Sequence, residues 1–140
     1  MTLMENKSYF QGFMEIAKDY LLELIRKEGI VAAYDPQEVL FHKGEVPEFL
    51  FYIRNGTVVL IEASDPVHPV AQFSMGNLIG VHELITGATY RFSAITEISS
   101  SLMMMNKDRF EDLFQHDVTF RMSVVKLISS EMTGMKGSYE

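Results

Sequence analysis

Arg91 is the single fixed positive charge between Arg54 and Lys107. It stands in the stretch 76–94, whose other residues are mostly apolar or small. A cation in apolar, β-prone surroundings is expected to hold an anionic partner, because an uncompensated buried charge is costly. Two kinds of partner fit. One is a protein carboxylate, with Glu83 as the candidate, which closes the charge internally. The other is an anionic ligand, which makes the stretch a binding site. Glycines at 76, 80 and 87 in the same stretch allow the backbone turns and close approaches that either arrangement needs.

Other chemistry is sparse. His42, His68, His82 and His116 are scattered, with no i, i+4 pair and no carboxylate pattern of metal-site spacing. They read as surface or turn histidines, with His82 the one that lies in the 76–94 stretch. No nucleophile–base set, phosphate-cradling glycine loop or paired-carboxylate pattern is present, so an enzyme is not expected. Met103, Met104 and Met105 read as adaptable core packing. The chain has no cysteine, which excludes disulfide and thiol chemistry. Its net charge of −7 and lack of any Lys/Arg cluster argue against a nucleic-acid partner for this segment. No apolar run reaches the length of a membrane span, and no signal sequence opens the chain, so a cytoplasmic protein without a membrane partner is expected.

The elements that must position Arg91 follow from periodicity. With 140 residues, 47% of them hydrophobic, the chain is long enough for one domain with a true core. Residues 8–27 carry apolar side chains at spacings of three and four, the pattern of an amphipathic helix or two short ones, with Gly29 as the stop. From Ile30 the period falls to two. Strands are expected over 30–34, 39–42, 49–54, 57–63, 69–73, 89–95 and 99–105, seven located strands of about eight expected. Asn55-Gly56 predicts a tight hairpin between the third and fourth. The whole reads as mainly β with flanking helices. Asn106 is placed to cap a short helix over 107–114, and Asp117 a longer one to about residue 135. That last helix has two apolar stripes. One holds Val118, Met122, Val125, Met132 and Met135, and the other Phe120, Val124, Leu127 and Ile128. One stripe suits the chain's own core and the other a second copy of the chain, so a homodimer is expected.

In this order, the elements resemble the cyclic-nucleotide-binding domain of the catabolite activator and Fnr family of regulators. The likeness runs from about Tyr20 to Met135. His42-Lys43-Gly44-Glu45 resembles the family's first glycine turn, and Tyr52-Ile53-Arg54-Asn55-Gly56-Thr57-Val58 its Tyr-Ile-x-x-Gly-x-Val motif. Met75-Gly76-Asn77-Leu78-Ile79-Gly80 is similar to the lead-in to its phosphate-binding cassette. Gly80 and Arg91 stand eleven residues apart, the spacing of the catabolite activator.

The resemblance implies an antiparallel β-roll (a double-stranded β-helix or jelly roll, cupin-like) over 29–106, with helical segments at 1–28 and 107–140. It implies a small effector, cyclic AMP, cyclic GMP or another small anion, bound in the roll by Gly80, Val81, His82, Glu83, Arg91, Phe92 and Ser93. In the family, an Arg makes charge-assisted hydrogen bonds to the cyclic phosphate and a Glu accepts from the ribose hydroxyl. Arg91 matches that Arg and Ser93 suits a small position. Val81 stands where the family has the Glu, and Phe92 where it has Ser, Thr or Ala. Losing a hydrogen bond to a charged acceptor weakens binding by about 1.5–3 kcal/mol. A divergent effector, a sensor of a non-nucleotide effector, and a ligand-free dimerisation module with Arg91 in an internal pair are therefore all open. Gly134 and Gly137 fall where a hinge to a helix-turn-helix domain would lie. DNA contact is expected only through such a domain, outside this chain.

Overall fold

The structure, a computed structural model, describes residues 19–134, and side-chain surroundings for 19–129. The expectation for residues 8–18 lies outside them, as do Met135 and the side chain of Met132. Helix α1 covers 19–28. Eight strands follow: β1 (Ile30–Tyr34), β2 (Val39–Phe41), β3 (Phe49–Asn55), β4 (Thr57–Ile61), β5 (Ala71–Ser74), β6 (Leu78–Ile79), β7 (Ser93–Thr96) and β8 (Ser100–Asn106). A short helix α2 (Val81–Thr86) interrupts them, and α3 (Lys107–His116) and α4 (Val118–Gly134) close the described chain.

Two antiparallel four-stranded sheets form a β-roll. Their orders are β1-β8-β3-β6 and β2-β7-β4-β5. The first sheet is apolar on both faces, and the strand period of two divides its side chains between two cores. On β8, Leu102 and Met104 point into the roll, while Met103 and Met105 point out to the helices. On β3, Phe51 and Ile53 point in, and Leu50 and Tyr52 point out. The roll core adds Phe41, Val58, Leu60 and Phe73. The helix-side core adds Leu21, Ile25, Phe110, Leu113, Phe120 and Val124. The three consecutive methionines are thus packing residues serving both cores.

The Asn55-Gly56 turn departs from expectation. It does not close a hairpin, because β3 pairs with β8 and β6 in one sheet, whereas β4 pairs with β5 and β7 in the other. A two-residue hairpin turn of the expected type needs positive φ at both positions. Only Gly56 has it, at 103°. The pair is a corner between sheets. The reason lies in the residues on either side: Ile53 and Val58 are both wholly buried in the roll, which requires the chain to cross from one sheet to the other. Ser100 secures the corner, its Oγ accepting from the Thr57 N–H at 3.1 Å and donating to the Ile98 carbonyl at 2.8 Å.

Both expected helix caps are present. Asn106 Oδ1 accepts from the Asp108 N–H at 2.7 Å, and Asp117 Oδ1 from the Phe120 N–H at 2.9 Å. Phe120 and Val124 are buried against the sheet, with Leu127 and Ile128 packed beside them. Val118, Met122 and Val125 face outward and are 57%, 47% and 46% exposed.

Candidate functional site

The site is built from β6, α2 and β7. β6 delivers the chain to Gly80, which takes φ 93° and stands at the N-cap position of α2. A Cβ there would lie 3.2 Å from the Phe49 carbonyl oxygen and 3.5 Å from the Tyr90 hydroxyl, so glycine is required for both conformation and space. Gly87, with φ 78°, ends the helix. Within α2 the helical period sends neighbours to different places. Val81 and Leu84 pack into the helix-side core. His82 is exposed. Glu83 is buried, at 6% exposure. A buried carboxylate is uncommon and marks this turn as more than a linker.

Through a bend at 91–92 the chain then enters β7, and buried and more exposed residues alternate over 90–96. Tyr90, Phe92, Ala94 and Thr96 are all buried, while Arg91 is exposed and Ser93 and Ile95 are half-buried. Tyr90 stacks on Phe41 with ring centroids 3.5 Å apart and planes 9° from parallel. Both belong to the roll core, and so does Phe92. The backbone of Tyr90 is held by the 42–45 turn: its N–H donates to the Glu45 carbonyl at 3.1 Å, and its carbonyl accepts from the Gly44 N–H at 2.8 Å. Gly44 takes φ 90° in that turn. Beside it, Ser93 Oγ accepts from the Lys43 N–H at 3.0 Å.

This geometry corrects one expectation. Arg91 is not a buried cation. It lies in the bend that leads into β7, and its side chain is exposed while those of Tyr90 and Phe92 on either side are buried. Its guanidinium lies 5.6 Å from the centroid of the Phe92 ring, within reach of a cation–π contact. Phe92 is the side chain that enters the roll.

Electrostatics follow the burial. Desolvation pushes the Tyr90 phenol well above its ordinary range, and the charges of Glu83, Glu45 and Glu48 push it further. Tyr90 is therefore a neutral hydroxyl at any physiological pH. The His42 imidazole and backbone N–H, at 2.7 and 2.9 Å from Glu45 Oε1, hold the Glu45 carboxyl below its usual range. Among the described residues, no group of three His, Asp or Glu side chains is arranged to hold a metal.

Of the seven residues the sequence singled out, Glu83 and Phe92 are buried, and Gly80 and Ser93 are half-buried. The structure turns Val81 into the helix-side core and leaves His82 and Arg91 on the surface. Tyr90 was missed. The alternation Tyr90, Phe92, Ala94, read at period two, is the signal that finds it.

Comparison with known proteins agrees with this architecture. The family model described as "cyclic nucleotide-binding domain" matches residues 31–117. No curated protein matches the sequence. Among solved structures, the chain is similar to the c-di-GMP responsive global regulator CLP of Xanthomonas campestris, with a TM-score of 0.74 and 18% identity over 86% of this chain and 60% of that one. It is similar to the Thermus thermophilus catabolite activator protein, with a TM-score of 0.68 and 15% identity over 82% of this chain and 55% of that one. It is also similar to the regulatory subunit of a cAMP-independent protein kinase A from Trypanosoma brucei, with a TM-score of 0.67 and 18% identity over 96% of this chain and 47% of that one. The chain therefore spans between about half and three-fifths of the length of these structures.

Proposed function

This chain belongs to the cyclic nucleotide-binding domain family, and from that premise we propose that it is the effector-sensing domain of a Crp/Fnr-type transcription regulator whose effector is not a cyclic nucleotide. The observation that supports this reading is the burial pattern of the segment that leads into β7, with Tyr90 and Phe92 in the roll core and Arg91 exposed. A ligand inside the roll meets Tyr90 and Phe92, not the guanidinium of Arg91. Buried aromatic rings and a neutral hydroxyl favour a neutral, flat or apolar molecule over a phosphate. Glu83 and Ser93 are then the polar groups that orient it. Val81, packed among the helices, belongs to the frame that carries α2. The fold is not tied to one ligand: one similar structure is described as c-di-GMP responsive and another as cAMP-independent.

Calorimetric titration with cyclic AMP and cyclic GMP tests the proposal. No saturation is expected below about 1 mM, equivalent to binding weaker than about −4 kcal/mol. Arg91→Ala is expected to leave the titration unchanged. A wild-type Kd below about 10 μM that rises tenfold or more in Arg91→Ala would restore the phosphate reading.

A second reading is favoured by the close Tyr90–Phe41 stack, which already fills the roll beside Gly80. On it the domain is a ligand-free dimerisation module. A thermal-shift screen of neutral aromatic and apolar compounds separates the two, since a ligand that binds only the folded state raises Tm. A hit whose effect is lost in Phe92→Ala supports the sensor. A screen without hits supports the module.

Both readings include a homodimer through the outer stripe of α4. Val118, Met122 and Val125 recur at intervals of four and three, so they share one face. The double change Met122→Glu and Val125→Glu places charges on that face without touching the buried one. Light scattering is expected to show a dimer become a monomer, with Tm lowered by no more than the dimer linkage accounts for. A wild-type monomer at about 100 μM would end this part of the proposal.

A further inference from the structure

The described part of helix α1 meets the α3–α4 pair through two polar clasps, one at each end of the stretch they share. At one end the Tyr20 hydroxyl donates to Asp117 Oδ2 at 2.5 Å. At the other, Arg109 holds Glu28 in a two-pronged pair, Nε to Oε2 at 3.0 Å and Nη2 to Oε1 at 2.9 Å. Tyr20 and Glu28 are eight residues apart, and so are Arg109 and Asp117. Eight residues rise about 12 Å along a helix, so the clasps match in register and α1 runs antiparallel to α3. Between them lies an apolar seam with Leu21, Ile25, Phe110 and Leu113.

The two clasps grip different things. Glu28 holds a side chain in the first turn of α3. Tyr20 holds the residue that separates α3 from α4. Asp117 ends α3, its N–H donating to the Leu113 carbonyl at 2.8 Å. It also begins α4, its carbonyl accepting from the Arg121 N–H at 3.0 Å and its Oδ1 from the Phe120 N–H at 2.9 Å. Arg121 Nη1 returns across the same break to the Phe114 carbonyl at 2.9 Å. One carboxylate thus serves two masters: Oδ1 caps α4 and Oδ2 is tied to α1.

We propose that the Tyr20–Asp117 contact is a latch through which the docking of α1 sets the order of the first turn of α4. When α1 is docked, the phenol fixes the carboxylate in the rotamer that caps Phe120. When α1 leaves, the carboxylate is free to rotate into water, and the first turn of α4 frays. Val118 and Met122 lie on the first two turns, so the latch controls how the outer stripe is presented. The inference rests on these hydrogen bonds and stands whether or not α4 dimerises.

Hydrogen exchange on the full 140-residue chain tests it. Tyr20→Phe keeps the ring and removes only the hydroxyl. The Phe120 and Arg121 amides are expected to exchange about three- to tenfold faster, with amides beyond Val124 unchanged. Asp117→Asn keeps a capping oxygen but weakens the bond from Tyr20, and is expected to move the same amides in the same direction by less. Glu28→Gln, at the far clasp, is expected to leave them unmoved. Unchanged Phe120 exchange in Tyr20→Phe overturns the latch. So does an equal acceleration in Glu28→Gln, which would mean that α1 acts only through general stability.

Discussion

Gly56→Ala is expected to destabilise the fold by about 3–4 kcal/mol, among the larger effects a single methyl can have. Two costs combine. Gly56 has φ 103°, a region that penalises any Cβ. The added Cβ would also stand 2.0 Å from Ser100 Oγ, 2.4 Å from Ser100 Cβ and 2.6 Å from Ser100 Cα. The hydroxyl can rotate away, at the loss of its bond from the Thr57 N–H. The Cα cannot. Strand β8 must shift, and β8 is the centre of the first sheet, between β1 and β3. Gly44→Ala is the matched control. Gly44 has φ 90° but nothing within 4 Å of an added Cβ, so it bears the conformational cost alone, about 1 kcal/mol. Urea unfolding of the two variants separates the costs. Equal losses would show that the approach to Ser100 does not matter.

The same corner shows where sequence reading stops. Asn55-Gly56 is a strong turn signal, and a turn is there. What local chemistry does not encode is which strand pairs with which. Ile53 and Val58 lie on either side of the turn with the same apolar character. Only their burial in one core, from two different sheets, decides that the chain crosses rather than folds back. Caps were legible because they are local: Asn106 and Asp117 each satisfy an amide two or three residues on. The two stripes of α4 were legible for the same reason, since helical spacing alone separates Phe120 and Val124 from Val118, Met122 and Val125. The order of strands and helices carried the family resemblance, because it depends on where turns and periods change rather than on pairing.

The site was half legible. Gly80 was singled out by its place in the resemblance, and its φ of 93° gives a physical reason for glycine there. Arg91 was found because it is a lone charge. Its exposure was not, because the segment around it is apolar enough to read as buried throughout. Counting from Gly80 through a helix and a loop cannot fix that exposure. The strand expected over 89–95 begins only at Ser93, after a bend at 91–92, so strand periodicity does not reach Arg91.

Phe110→Ala is expected to cost about 3–5 kcal/mol, the range for removing a fully buried phenylalanine. Phe110 is 1% exposed and stands where every helix-side element meets. Its ring stacks with Phe114 at 5.6 Å and meets Phe120 edge-on at 5.7 Å and 71°. It shares its core with Leu21 and Ile25 of α1, Met103 and Met105 of β8, and Val124 of α4. The two aromatic contacts add about 0.5–1.5 kcal/mol each beyond buried area, so the loss belongs in the upper half of the range. Collapse cannot recover much of it. The cavity is walled by a sheet on one side, and the clasps Glu28–Arg109 and Tyr20–Asp117 hold α1 at a fixed height on another. Phe110→Leu, which restores about half of the side-chain carbons beyond Cβ, is expected to recover about half the loss or more. Urea unfolding gives both numbers, and the position of the damage tests the two-core description. The helix-side core lies on one face of the first sheet and the roll core on the other. In Phe110→Ala, exchange protection is expected to fall in α1, α3 and α4 before it falls in β4, β5 and β7. Uniform loss across both groups would mean that the two cores unfold as one unit, and that the helices are no more separable from the roll than one of its strands.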